Sequence, residues 1–477
     1  MKKIYYIIIG LFVLTTISCT NDFLDVNTDP LAATDVPAGV LFTEAAVQFS
    51  SNRTVELNAI NIQAQQWASN GSAGVFSRPE RYSISTFTTG NSWGFYYTTG
   101  LKNLLLARLK AEQAEPTQVN TVAQIKTMEA FIYYNITNIW GEVPFTEALS
   151  SDLTGNVEFP NPKFDNQDIV LKGIVTRLDE ALALFDPNST DAISDGDVIY
   201  GGNIVKWQKF ANSLKLKTLM LIANKEDVSS QIEATLNAPM ILTNDDEADM
   251  QFLELTANAN PLWGTLNNFA GGTNPFWFAG ATLVDLMNAN NDPRRSTYFD
   301  DGAPYVGLAQ GDFVNTGNSI SLKILRPDYP DRYATAAETK LLLAEAAAKG
   351  YITGGMAQAN TFFREGIQLS LDWFDGKPGE MSGADKTAFI NSFPDLSTLS
   401  NSDALKMIQE QQYVDLFSRG LEAWTNWRRT KVPTFTLPIN AQLPDIIRRY
   451  PYPPDEIGSN PNTPSQLPLE TPMWYEN

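Results

Sequence analysis

Cys19 is the only cysteine in the 477-residue chain, and its setting gives the thiol a specific chemistry. Lys2 and Lys3 form a positive leader, followed by an apolar run from Ile4 to Leu14. The run has the length of a signal-peptide core and is too short to cross a bilayer. Thr15, Thr16, Ile17 and Ser18 then lead into Cys19, in the manner of the lipobox read by the bacterial lipoprotein peptidase. Diacylation of the thiol and cleavage before it make Cys19 the expected mature N-terminus, with residues 1–18 as signal peptide. Two or more acyl chains anchor stably, because each buried methylene contributes about 0.8 kcal/mol.

The residue types that are missing narrow the remaining chemistry. The chain has no histidine, which excludes Ser-His-Asp triads, Cys-His pairs and histidine metal sites. With no thiol after Cys19, it can build no disulfide framework and no cysteine metal site. The 54 Asp and Glu residues leave a carboxylate pair for glycoside hydrolysis open. Neither a phosphate loop ending in Gly-Lys-Ser/Thr nor a dinucleotide fingerprint is present. Asp195-Gly196-Asp197 and Asn244-Asp245-Asp246-Glu247 offer oxygens that suit structural calcium. Neither follows EF-hand spacing, so both read as solvated turns and no cofactor is expected.

Net charge is −20, and losing Lys2 and Lys3 with the leader makes the body more acidic still. Such a body repels phosphate backbones and anionic headgroups, which argues against nucleic acid and suits a tether over a basic patch. Neutral ligands, sugars included, are compatible with it. A hydrophobic content of 43% with 11% aromatic residues is ample for a large core.

These groups must be positioned by helices. Residues 19–36 read as a polar tether with an early Pro30, ahead of a single domain over 37–477. Helical periodicity runs from Val40 to about Trp67, and a Gly/Ser/Thr-rich loop runs from Ser69 to Asn91. Tyr97, Leu101, Leu104 and Leu105 share one helical face, and Pro116 breaks it. Further faces run from Val122 to Ile139, from Val170 to Phe185 and from Trp207 to Ile222. Helices paired by turns predict stacked helical hairpins over about 37–237, 334–373 and 403–430. The helical signal weakens over 238–333, a loop-rich insert with one short helix expected at Thr282–Asn288. The segment from 374 to Leu399 reads as irregular, and the proline-rich tail over 433–477 as extended chain.

Several segments, in order, resemble the SusD/RagB family of outer-membrane lipoproteins, closest to its SusD-like, starch-associated subfamily. They begin with Phe23-Leu24-Asp25-Val26-Asn27-Thr28-Asp29-Pro30 and Trp140-Gly141-Glu142-Val143-Pro144-Phe145-Thr146-Glu147-Ala148. Trp207 to Lys217, Asn291-Asp292-Pro293-Arg294, and Ala344-Glu345-Ala346 with Gly350 and Gly366-Ile367 follow. Gly420 to Trp424, Trp427 to Thr430, and Arg448 to Pro453 with Glu456 complete the set. The resemblance implies a mainly α fold, a scaffold of tetratricopeptide-like hairpins whose loop-rich insert forms the ligand face. It further implies a non-catalytic, lipid-anchored protein facing the cell exterior over a SusC-like TonB-dependent transporter, to which it delivers oligosaccharide. The alternatives are a RagB-like peptide-binding importer subunit and, from another class, a surface glycoside hydrolase.

A pyranose presents an apolar face of C–H groups that a flat ring can cover. Burying ~40 Å² in this way gives roughly 1 kcal/mol per ring. The candidate rings lie in irregular segments: Tyr82 and Trp93 about the first loop, and Trp263, Phe276, Trp277, Phe278 and Tyr305 in the insert. Arg78, Asn91 and Asn274 are the candidate polar contacts. The competing reading is that Phe276-Trp277-Phe278 anchors the insert to the scaffold. Asn291, Asp292 and Arg294 read as a turn, and Arg428 and Arg429 as partners of acidic groups or of C-terminal carbonyls.

Overall fold

The computed structural model describes residues 36–55, 58–69, 71, 78–84 and 86–476. The leader, Cys19 and almost all of the tether lie outside the described residues. Ala38–Asn477 form one compact unit.

In chain order the helices of the first half are α1 (Ala38–Val55), α2 (Asn58–Gln63), α3 (Thr86–Gly94), α4 (Lys102–Gln113), α5 (Val119–Trp140), α6 (Gln167–Leu184), α7 (Ile204–Ile222) and α8 (Ser229–Thr235). A π-helical stretch, Phe95–Leu101, joins α3 to α4. The insert carries α9 (Pro261–Ala270), α10 (Ala281–Ala289) and α11 (Arg295–Tyr298). Then follow α12 (Ala336–Ala348), α13 (Gly355–Asp372), α14 (Gly383–Ser392), α15 (Asn401–Asp415), α16 (Gly420–Thr430) and α17 (Pro454–Ser459). Short strands pair antiparallel in twos: β1 (Trp67–Ser69) with β5 (Trp277–Ala279), β2 (Val143–Pro144) with β3 (Phe164–Asp165), and β4 (Ala248–Met250) with β6 (Asp331–Ala334).

The protein is mainly helical, and its helices pack as antiparallel neighbours, α5 with α6, α6 with α7 and α12 with α13. α5 is the centre of the first half, with nearly every side chain from Asn120 to Trp140 buried. Its apolar residues supply the driving force, about 1.5–3 kcal/mol for each fully buried large side chain. Its polar ones remain tolerable because Asn135 and Asn138 donate back to the carbonyls of Phe131 and Tyr134. Gly141, at φ 90°, ends the helix, and its amide bonds to the Thr137 carbonyl.

Buried ion pairs tie distant elements together, Arg429 and Glu345 within the second half and Arg53 of α1 across to it. Arg429 meets Glu345 through two 2.6 Å bonds, and Arg53 bridges Asp331 and Glu422. Arg428 is also fully buried, and donates to the Arg448 and Trp424 carbonyls. Arg294, likewise inaccessible, is held by Asp292, Ser370 and Gln411, so the two charged residues of the Asn-Asp-Pro-Arg element are architecture.

Four segments differ from the sequence expectation. The first loop, expected to run to Asn91, gives way at Thr86 to α3, so Asn91 and Trp93 stand on a helix rather than in irregular chain. The insert holds α9 and the single-turn α11 as well as the expected α10; α9 starts where Asn260 caps the Leu262 amide and Pro261 presets the first turn. α14 interrupts the 374–399 segment, started by Ser382, whose hydroxyl accepts from the Asp385 amide. The tail contains α17, again opened by a proline at its first position. Elsewhere the tail runs without regular structure against the scaffold: Trp140 Nε1 donates to Pro451 O (3.0 Å) and the Tyr450 amide to Ile139 O (2.9 Å).

Candidate ligand site on the insert

Pairing of β1 with β5 sets Ser69 opposite Trp277, Ala68 opposite Phe278 and Trp67 opposite Ala279. That ladder joins the start of the first loop to the insert across more than 200 residues of chain. Glu80 and Arg81 reinforce the junction. The Glu80 carboxylate accepts from the Ser69 and Gly311 amides, each at 2.9 Å. Arg81 donates to the Gly311 carbonyl (2.7 Å) and lays its guanidinium 3.8 Å from the Phe313 ring centre. The tail joins in as well, since the Ile439 amide bonds to Gln310 O and the Gln442 amide to Arg81 O. Burial pushes the Glu80 carboxyl up to about 7, against the pull of the two amides.

The sequence candidates fall into different environments. Trp277 is inaccessible, with its ring 5.7 Å from that of Trp67. Phe278 is buried in a small cluster with Ala68 and Leu308, and Tyr82 is buried in the main core. Asn274 is occupied by the backbone: its amide donates to the Trp277 and Ile320 carbonyls, and its oxygen accepts from the Phe276 and Trp277 amides. Phe276 is half-buried, edge-on to Trp277. These five residues hold the insert in place, and as they stand Tyr82, Trp277 and Phe278 offer no ring face to solvent. Trp263 is half-exposed on α9, and Arg78 is exposed. Trp93 and Asn91 lie on α3, and Trp93 packs among Tyr97, Trp140, Phe164 and Tyr452.

Tyr305, half-buried, is the candidate ring on the insert that lines an open cleft. The cleft, of about 530 Å³, lies between the α10–α11 turn and α14. The Arg295 guanidinium lies 5.3 Å from its ring centre and is steadied by the Asp292 carbonyl (2.9 Å) and Asn288 Oδ1 (2.8 Å). Asn288 also donates to the Tyr305 carbonyl, fixing ring and guanidinium together. Asn291 adds an amide on the α10–α11 side, and Ser382, Asp385 and Glu380 supply hydroxyl and carboxylate groups along the α14 wall. Sequence reasoning missed Arg295 and the α14 residues; the Ser382-x-x-Asp385 cap was the signal that could have found the latter.

Both acidic runs considered for calcium face protein donors. Asp197 accepts from the Ile199, Tyr200 and Gly202 amides and from Trp207 Nε1. Asp246 takes Lys209, and Glu247 takes Arg332. Among the described residues no group of three or more His, Cys, Asp and Glu is placed to hold a metal, and no helix is long and apolar enough to cross a membrane.

Over residues 30–453 the chain matches the SusD-like family described as starch-binding associating with outer membrane. It belongs to that family, and is accordingly a nutrient-binding surface protein of the outer membrane. No curated protein matches the sequence. Solved structures show the same fold. A chitin-binding protein superposes with a TM-score of 0.78 at 22% identity, covering 93% of this chain and 100% of its own. SusD homologues from Bacteroides uniformis ATCC 8492 (0.74, 22% identity, 93% and 100% covered) and Bacteroides fragilis NCTC 9343 (0.73, 21%, 92% and 99%) do likewise.

Proposed function

We propose that the protein captures a neutral oligosaccharide in the insert cleft beside Tyr305, does not cleave it, and passes it to a SusC-like TonB-dependent transporter. An acylated Cys19 holds the body at the outer face of the outer membrane. The observation that carries this reading is the composition of the cleft, one accessible ring beside converging guanidinium, amide, hydroxyl and carboxylate groups. A pyranose needs both kinds of surface, since its C–H face stacks while its hydroxyls require partners on every side. Family membership supports the transporter and the absence of catalysis. A single ring with a few hydrogen bonds makes a modest, rapidly exchanging site, suited to handing cargo on.

Calorimetric titration against a panel of neutral oligosaccharides, with a peptide control, tests the reading. Tyr305→Ala should weaken saccharide binding about fivefold, the equivalent of roughly 1 kcal/mol for one stacked ring, while the melting transition holds. Unchanged affinity would place the ligand elsewhere, and binding of the peptide alone would assign the cleft to peptides.

A further inference from the structure

A second open cleft lies away from the insert, where Trp93 and Tyr97 meet the 144–162 loop and α17. At about 690 Å³ it is the larger of the two, and its lining is more apolar. Its walls are joined by specific bonds. Tyr97 Oη donates to Pro144 O (2.8 Å), Asn460 Nδ2 to Pro162 O (2.9 Å) and Asn462 Nδ2 to Asn161 O (2.7 Å). Asn460 also donates to Glu456 Oε1 (2.9 Å) and so orients that carboxylate. Phe159, 38% exposed, is set in the opposite wall by its own amide, which bonds to Ser150 Oγ (2.8 Å).

Prolines and carboxylates weight this cleft toward acceptors. Pro144, Pro160, Pro162 and Pro453 line it without an N–H to offer. Asp455 and Glu456 accept only, when ionised. Ser150, Ser151 and Ser459 add hydroxyls that can give or take a hydrogen bond. The fitting ligand therefore brings hydroxyls that both donate and accept, with an apolar face, and carries no negative charge. Lys102 is a single cation set against two carboxylates, so a uronic acid would be repelled. We infer that this cleft is a second saccharide subsite, selective for neutral sugar units, in which the Phe159 ring takes the C–H face and Asp455 and Glu456 accept from hydroxyls. It rests on the reading that the ligand is a saccharide. Two separated subsites on one rigid body would let one long glycan be held at two points, raising avidity without a tighter single site.

The test uses the full chain with Cys19→Ser, so that one introduced thiol can carry an environment-sensitive dye. Val157→Cys, 52% exposed, reports on this cleft, and Ala388→Cys on the insert cleft. Neutral oligosaccharides too short to span both clefts should move both reporters, and matched uronic-acid oligosaccharides should leave the Val157 position silent. Phe159→Ala, or Asp455→Asn with Glu456→Gln, should shift the Val157 response to at least tenfold higher concentration without moving the Ala388 response. A silent Val157 reporter beside a responding Ala388 reporter would overturn the second subsite and leave the proposed function standing. Silence at both would overturn both. A response at Val157 alone would support this cleft and refute the insert site.

Discussion

Tyr305 and Trp277 are both aromatic residues in a loop-rich segment, yet one borders a cleft and the other is inaccessible. The difference is made by a partner far off in sequence, the β1 strand that covers Trp277 and brings Trp67 against it. Ring type was therefore legible in the sequence, but ring exposure was not. The buried charges are more decisive at this scale. Glu345 is fully buried, and Arg429 beside it holds its carboxyl well below the usual carboxylate range. Arg429→Met should destabilise the fold by up to about 3 kcal/mol in urea unfolding, because it leaves the buried Glu345 with Lys349 as its one remaining cation. Glu80 acts with the opposite sign. Its folded pKa of about 7 lies above the ordinary 4.5, so the folded state holds a proton that the unfolded state has released. Between those values its contribution falls as pH rises, by about 3 kcal/mol in total. Glu80→Gln should therefore gain on the native protein across that window in denaturant titrations, and a difference that stays flat with pH would contradict the assignment.

Helices α5, α6, α7, α12 and α13 were legible because each spreads a continuous apolar face over several turns. α9 and α14 were not, since each is short and α14 buries little beyond Lys386 and Phe389. Their signals were at their starts, Asn260-Pro261 and Ser382-x-x-Asp385, where capping chemistry outweighs periodicity. Packing between elements is testable through glycine. A Cβ at Gly420, the first residue of α16, would stand 2.5 Å from the Asn61 backbone nitrogen on α2. Gly420→Ala should cost about 1–3 kcal/mol, because backbone cannot rotate out of the way. Gly264, within α9, has nothing within 4 Å of that position. There the same change should stabilise by about 0.5–1 kcal/mol through helix propensity alone, and thermal melts of the two variants should move in opposite directions.

At the scale of the molecule, the ordered segments that resemble the SusD/RagB family were enough to anticipate a mainly helical scaffold with an insert. They could not place the ligand, since most mark architecture: Trp140, Asp292, Arg294, Arg428 and Arg429 are all buried. The anchor is read from Cys19 and its leader. Labelled palmitate should be incorporated into the native protein and not into Cys19→Ser, and equal labelling of the two would refute lipid tethering at this residue. What remains is whether this body holds sugar without breaking it. Incubating the purified protein with a neutral oligosaccharide, separating bound from free ligand and weighing both by mass spectrometry addresses that in one measurement. The account predicts saturable retention with ligand recovered at its original length; shortened products formed at enzymatic rates, or no retention across the panel, would contradict it.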